Sequence, residues 1–117
     1  MKDPAQEQMV LVQLLNQQVS AVVFVQDYLQ LNFDGKRLTV NVWPKLVTDG
    51  HELTFGETGY RDALCSLIGR TVVDTSESET ELVLKFDVGR VTINLIDDTT
   101  MEHVIFEDTA TNAWAWW

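Results

Sequence analysis

The chain has one cysteine, Cys65. No disulfide can form within it, which excludes the crosslinked frameworks of small secreted domains and fits a reducing cytosol. Proline and glycine are scarce, at two and six of 117 residues, while 45% of residues are hydrophobic. That balance argues for one globular domain with a real core and against a disordered chain. Eight basic residues stand against eighteen acidic ones, for a formal net charge of −10 and a pI near 4.3. Nucleic acids are bound through clustered Lys and Arg, so DNA and RNA are not expected partners. The same deficit disfavours an anionic membrane surface, whereas an acidic surface suits a basic protein partner. The longest uninterrupted apolar run, Ala21 to Val25, is far shorter than the ~20 residues of a membrane-spanning helix. Met1-Lys2-Asp3-Pro4 lacks the basic start and long apolar core of a signal peptide. The expected location is cytoplasmic.

What the chain does contain is a β-hairpin written twice. Leu29–Val42 and Leu82–Leu95 align without a gap at an offset of 53, with 7 of 14 positions identical and three more exchanging one aliphatic residue for another. Each copy alternates with period two, as a half-buried strand does. Leu29, Leu31 and Phe33 fall on one face with Leu38, Val40 and Val42, and the second copy repeats this through Leu82, Leu84, Phe86, Val91, Ile93 and Leu95. Asp34-Gly35 suits a type I′ turn, which needs positive φ at both central residues. In the second copy the glycine moves one place, to Gly89, so either the two turns differ in detail or Val88-Gly89 occupies the tip. Asp34 and Arg37 recur as Asp87 and Arg90, expected as an exposed ion pair bridging each turn.

The offset extends back to Leu14–Val19 against Leu67–Val72. Asn16 and Gly69 there are residues that tolerate the left-handed conformation beyond a helix end. A helix is therefore expected before each hairpin. The first runs from Ala5 to Leu15, capped by Asp3 with Pro4 at its first position, with a strand over Met9–Leu15 as the alternative. The second runs from Gly59 to Ile68, capped by Thr58. One further strand lies between helix and hairpin, Val19–Gln26 in the first copy and Thr71–Asp74 in the second, where Thr75–Thr80 reads as loop. The expected fold class is α+β: a duplicated helix–β–β–β unit with pseudo-twofold symmetry, its antiparallel strands in a sandwich or partly closed barrel. The single domain divides into repeat 1 (about 5–43), a connector (44–57), repeat 2 (about 58–96) and a C-terminal extension (97–117). In the connector, Pro44 ends the hairpin strand, Asp49-Gly50 marks a turn, and Glu52–Phe55 is a short strand. In the extension, Asp97–Thr100 reads as loop and Met101–Phe106 as an extra strand.

Three of the four tryptophans lie in the last four residues. Tryptophan is enriched at binding hot spots, and such a tail must dock on its own domain, on a second copy, or on a partner. The candidate interaction surface is Trp114, Trp116 and Trp117 with Tyr28, Arg37 and Asn41. His51 and His103 match no metal motif and are expected at the surface. Cys65 is expected half-buried and without the base and oxyanion site a nucleophile needs. Glu107-Asp108 reads as a solvated acidic pair. No catalytic residue, cofactor site or metal site is assigned.

The segment Leu67-Ile-Gly-Arg-Thr-Val72, followed by Leu82-x-Leu-x-Phe86-Asp-x-Gly89-x-Val91-x-Ile93, resembles a bacterial family of small uncharacterised domains with repeated Phe-Asp-Gly hairpins. The resemblance covers residues 14–42 and 67–95. It departs from the family's pattern at Ile96-Asp97-Asp98, where a Glu-Ala-Trp segment often closes the second hairpin. The family brings no catalytic residues, and some of its look-alikes resemble immunity proteins that neutralise bacterial toxins. The expected function is a non-enzymatic protein-interaction domain, immunity-like in character. The rivals are a small-molecule binder or weak enzyme with a pocket between the repeats, and a homodimeric structural protein.

Overall fold

The computed structural model describes residues 10–96 and 103–117. Its strands are β1 (Ala21–Phe24), β2 (Leu29–Asn32), β3 (Lys36–Val40), β4 (Lys45–Thr48), β5 (His51–Leu53), β6 (Val72–Glu77), β7 (Glu81–Phe86), β8 (Gly89–Asn94), β9 (Val104–Asp108) and β10 (Ala113–Trp116). A 3-10 turn over Leu11–Leu14 precedes β1, and helix α1 (Tyr60–Cys65) lies between β5 and β6. The strands form two antiparallel sheets of five, ordered β1-β2-β3-β9-β10 and β5-β4-β8-β7-β6.

This overturns the α+β expectation. The protein is mostly β, with one short helix among the described residues and no helix–β–β–β repeat. The described part of the first expected helix is a single 3-10 turn. With three residues per turn, positions i and i+3 eclipse, so Leu11 and Leu14 are buried while Val12 and Gln13 are exposed. The broad stripe read as a helix face is therefore split between core and solvent. Asp3, Pro4 and the rest of that helix up to Met9 lie outside the described residues. The second helix is shorter than its pattern. Gly59, at φ +88°, takes the N-cap position without a side-chain bond, and Thr58 is not the cap. Six helical residues cannot hold themselves in water. The helix is fixed instead by its buried Tyr60, whose hydroxyl donates to the Pro44 carbonyl.

The duplicated hairpins keep their register. Leu29 pairs with Val40 and Leu31 with Leu38, as Leu82 pairs with Ile93 and Leu84 with Val91. Asp34 (φ +49°) and Gly35 (φ +101°) form the type I′ turn. The second tip is Asp87-Val88, because Phe86 already pairs with Gly89. Gly89 has a different task. A Cβ there would lie 2.0 Å from the Val47 carbonyl oxygen, so only glycine lets β4 approach β8. The expected Asp–Arg turn pairs do not form: Arg37 pairs with Glu107, and Asp87 with Arg70. The stretch read as loop from Thr75 to Thr80 instead carries β6 as far as Glu77. A bulge between Val72 and Asp74 breaks the period-two pattern there and hides the strand.

The connector and the extension are hairpins, and each crosses to the other sheet. β4, which follows the β1–β3 meander, pairs with β8; β9, which follows the β6–β8 meander, pairs with β3. Residues 97–102, which include the expected loop and the start of the expected last strand, lie outside the described residues. The segments entering the two meanders also bond to each other reciprocally. Asn16 N–H donates to Val72 O and Gly69 N–H to Val19 O, at 2.9 and 2.8 Å. Val19 N–H donates to Arg70 O and Val72 N–H to Gln17 O, at 2.9 and 3.0 Å. Each bond maps onto its counterpart under the 53-residue offset. Asn16 and Gly69 both have positive φ, as the sequence implies.

The inner faces of both sheets share one core. Leu29, Leu31, Phe33, Leu38 and Val40 pack in one cluster with Leu82, Leu84, Phe86, Val91 and Ile93. Phe106, Ala115 and Trp117 from the last hairpin complete it. Among the described residues, no helix is long and apolar enough to cross a membrane.

Candidate interaction face

Alternation decides where the tail tryptophans go. In β10, Ala115 and the following Trp117 turn inward, and Trp117 is only 4% exposed. Its backbone pairs with Val104 (N–H to O 2.9 Å), and its indole Nε1–H donates to Glu77 Oε1 at 3.3 Å. Glu77 also accepts the Leu11 N–H at 2.7 Å, so one carboxylate ties β6, the 3-10 turn and the end of the chain together. Trp117 is thus a core residue. Trp114 and Trp116 point the other way, onto the outer face of the first sheet, and stack with ring centroids 4.9 Å apart. Trp114 is 60% exposed.

The register then assembles the outer face of that sheet in rows. One row is Ala21, Asn32, Arg37, Glu107 and Trp114; the next is Val23, Gln30, Thr39, Ile105 and Trp116. Tyr28 and Asn41 continue it at the same parity beyond the second row, where Asn41 N–H donates to His103 O at 2.8 Å. Five of the six residues singled out in the sequence therefore share one face, and Trp117 leaves it for the core.

The chemistry of this face is unlike that of the chain as a whole. Of the ten positions in the two rows, Arg37 and Glu107 alone are charged, and they neutralise each other. The guanidinium holds the Glu107 carboxylate through three contacts of 3.1–3.3 Å. Gln30 Nε2 donates to Thr39 Oγ1 at 3.3 Å. The outer face of the second sheet is laid out differently. Asp74, Lys85, Arg90, Val47 and Glu52 follow one another across it, and Lys45 and Glu52 form an ion pair of 2.8 Å.

A depression of about 500 Å³ opens where the first sheet's outer face meets the β9–β10 turn, lined by Ile105, Glu107, Asp108, Asn112 and Trp114 among others. Thr109 anchors that turn by donating to Gly35 O through both its N–H (2.9 Å) and its hydroxyl (2.8 Å). Asp108 Oδ1 accepts the Ala110 N–H at 3.0 Å. A second, smaller depression of about 300 Å³ lies along the start of α1, lined by Phe55, Glu57, Tyr60 and Arg61. There Phe55 stacks on Trp43 at 4.3 Å, and Arg61 sits 5.6 Å above the Phe24 ring. The Thr54 hydroxyl and N–H, both donating to Glu57, hold its carboxyl below the ordinary carboxylate range.

Sequence reasoning missed Ile105 and Glu107 as members of this face. The signal was the alternation Val104, Phe106 inward against Ile105, Glu107 outward. The histidines divide: His51 is exposed, but His103 is buried by the closure of Trp117 O onto its N–H, against expectation. Cys65 is exposed rather than half-buried, since Tyr60 and Leu64 supply the helix's buried side. Among the described residues, no three His, Cys, Asp or Glu side chains are grouped to hold a metal ion. No family model, curated protein or solved structure matches this chain, so the resemblance to the Phe-Asp-Gly hairpin domains rests on the hairpin residues alone.

Proposed function

We propose that this protein is a non-enzymatic interaction module that binds a basic protein partner through the outer face of its first sheet. The observation that carries this reading is the composition of that face. A chain of net charge −10 holds there two stacked tryptophans, an isoleucine and one self-compensated Arg–Glu pair. Interface cores are depleted in charge and enriched in Trp and Arg. The remaining acidic surface steers a basic partner toward the protein from beyond contact distance, and that contribution weakens with salt. An immunity-like role, in which an acidic domain masks a basic toxin, has the same physical requirements.

The test is capture from a lysate of the expressing cell at low and high salt, with the unaltered chain, Trp114→Ala, and Lys85→Ala on the opposite sheet. The expected result is one basic protein held at low salt, lost at high salt, lost from Trp114→Ala and kept by Lys85→Ala. Equal retention by Trp114→Ala would sink the assignment of the face.

A further inference from the structure

We infer that the free edge of β1 pairs with β1 of a second copy of this chain, joining two first sheets into one across a twofold axis at Val23. The inference concerns the edge of the sheet and does not depend on the reading of its outer face. Backbone bonding identifies the edge. Val25 and Tyr28 bond reciprocally, N–H to O at 2.9 and 3.4 Å. Antiparallel strands alternate bonded and non-bonded pairs, so Phe24↔Leu29 and Val22↔Leu31 are non-bonded ones. The N–H and C=O of Val22 and Phe24 therefore point away from β2, and no described residue bonds to them.

The core is open along the same edge. Val22 and Phe24 share the inward parity of their partners Leu31 and Leu29, yet they are only half-buried where those two are fully buried. The other three edges are protected. β5 is three residues long and carries Glu52, held by Lys45. β6 is bulged, bears Asp74 and is tied through Glu77 to Leu11. β10 buries its inward Ala115, and Trp117 closes its end. Short, bulged or charged edges resist pairing with another chain. β1 has none of these devices: Ala21-Val22-Val23-Phe24 contains no charge, proline or glycine.

Symmetry and charge select the occupant. With Val23 opposite Val23 of the second copy, Val22 of each copy falls opposite Phe24 of the other. Those two pairs form four N–H···O bonds and bring the half-buried inward side chains together. On the outer face, the exposed Val23 and Val25 meet Val23 and Ala21 of the second copy. A net charge of −10 on each copy opposes association elsewhere. Here the outward residues Ala21, Val23, Gln30 and Asn32 are all uncharged. Along the register the nearest outward charge is Arg37 on β3, which Glu107 neutralises. Two acidic chains can meet at this edge without bringing carboxylates together. A contact of one short strand is small beside a standard interface, so the dimer is reversible and forms at high concentration.

Sedimentation equilibrium of the full-length chain over a concentration series tests this. The expected result is a mass rising from 13.3 kDa toward twice that value. Salt should strengthen the dimer, because it screens the repulsion between two acidic copies. Val23→Lys and Val23→Glu, at an exposed position, each set like charges face to face on the axis and should weaken association about tenfold or more. Mixed in equal amounts, the two variants place opposite charges there and should recover the dimer. Trp114→Ala should leave association unchanged. A chain that stays monomeric up to about 1 mM, the weak end of specific association, overturns the inference and leaves the edge to an extended segment of another protein. A dimer that persists in both Val23 variants, or variants that do not recover on mixing, overturns it as well. Loss of the dimer in Trp114→Ala would move the contact to the outer face and overturn the pairing of edges.

Discussion

Trp114 and Trp117 are the same residue type three positions apart, and truncating each to alanine should give very different results. Trp117 is 4% exposed and packs in the core. Removing a buried tryptophan costs about 3–5 kcal/mol, from lost transfer energy and the cavity left behind. The upper part of that range applies, because Glu77 also loses the indole N–H it accepts at 3.3 Å and keeps the Leu11 N–H. Trp114 is 60% exposed and stacks on Trp116, a contact worth about 0.5–1.5 kcal/mol. With a urea m-value of about 1.5 kcal/mol/M, Trp117→Ala should lower the unfolding midpoint by roughly 3 M, and Trp114→Ala by no more than ~1 M. Far-UV circular dichroism, which follows the backbone, reads both transitions. Equal midpoints for the two variants, or a loss below ~1 kcal/mol for Trp117→Ala, would refute the assignment of Trp117 to the core and Trp114 to the face.

Gly89→Ala should destabilise by about 1–3 kcal/mol, because its Cβ would meet backbone, the Val47 oxygen at 2.0 Å, which cannot rotate away; a thermal melt within ~0.5 kcal/mol of the unaltered protein would count against the β4–β8 approach. Gly35→Ala meets nothing within 4 Å, yet its φ of +101° should still cost about 1 kcal/mol or more by strain alone. A double-mutant cycle on Arg37 and Glu107, each side chain about a third exposed, should return no more than ~1 kcal/mol of coupling and less in molar salt. Burial pushes the Tyr60 phenol up from 10 to about 12. The folded state therefore holds this proton more tightly than the unfolded chain. The associated stability is complete below pH 10 and is lost as the pH rises through about 12. Ultraviolet titration of the unaltered protein against Tyr60→Phe should place the missing phenolate step there, and a step near pH 10 would contradict its burial.

The hairpins at Leu29–Val42 and Leu82–Leu95 were legible because alternation and turn chemistry agree within a short span. The Asp34-Gly35 turn and the left-handed Asn16 and Gly69 were legible for the same local reason. What failed was reading helices from apolar density. Leu11 and Leu14 suit a buried 3-10 turn as well as an α-helix, and the choice is made by packing that no local pattern encodes. β6 was hidden by one bulged residue, Val73, which throws the alternation out of phase. The β4–β5 hairpin carried its own Asp49-Gly50 signal, but strands of four and three residues give alternation too few positions to stand out. The candidate face was half legible. The tryptophans and Arg37 are conspicuous by type, whereas Glu107 and Ile105 join them only through the pairing of β3 with β9, across some 70 residues of chain.

That long-range pairing explains how two near-identical hairpins come to present different surfaces. Arg37 and Arg90 occupy equivalent positions in the repeated sequence, and both face outward beside a strand supplied by a hairpin from the other meander. For Arg37 the supplied neighbour is Glu107, followed by Trp114; for Arg90 it is Val47, followed by Glu52. The same arginine is bidentate and neutralised on one sheet and solvent-facing among mixed charges on the other. The inward residues are tied by the shared core and repeat faithfully, Leu31 as Leu84 and Phe33 as Phe86. The outward character is decided by β4–β5 and β9–β10, where the repeat has no counterpart in sequence. Exchange of these hairpins thus separates two demands on the chain: the repeated hairpins carry much of the core, and the unrepeated ones set what each sheet shows on its outer face. It follows that substitutions at the outward positions of β9 and β10 can alter the outer face while the inward positions Val104, Phe106 and Ala115 hold the fold.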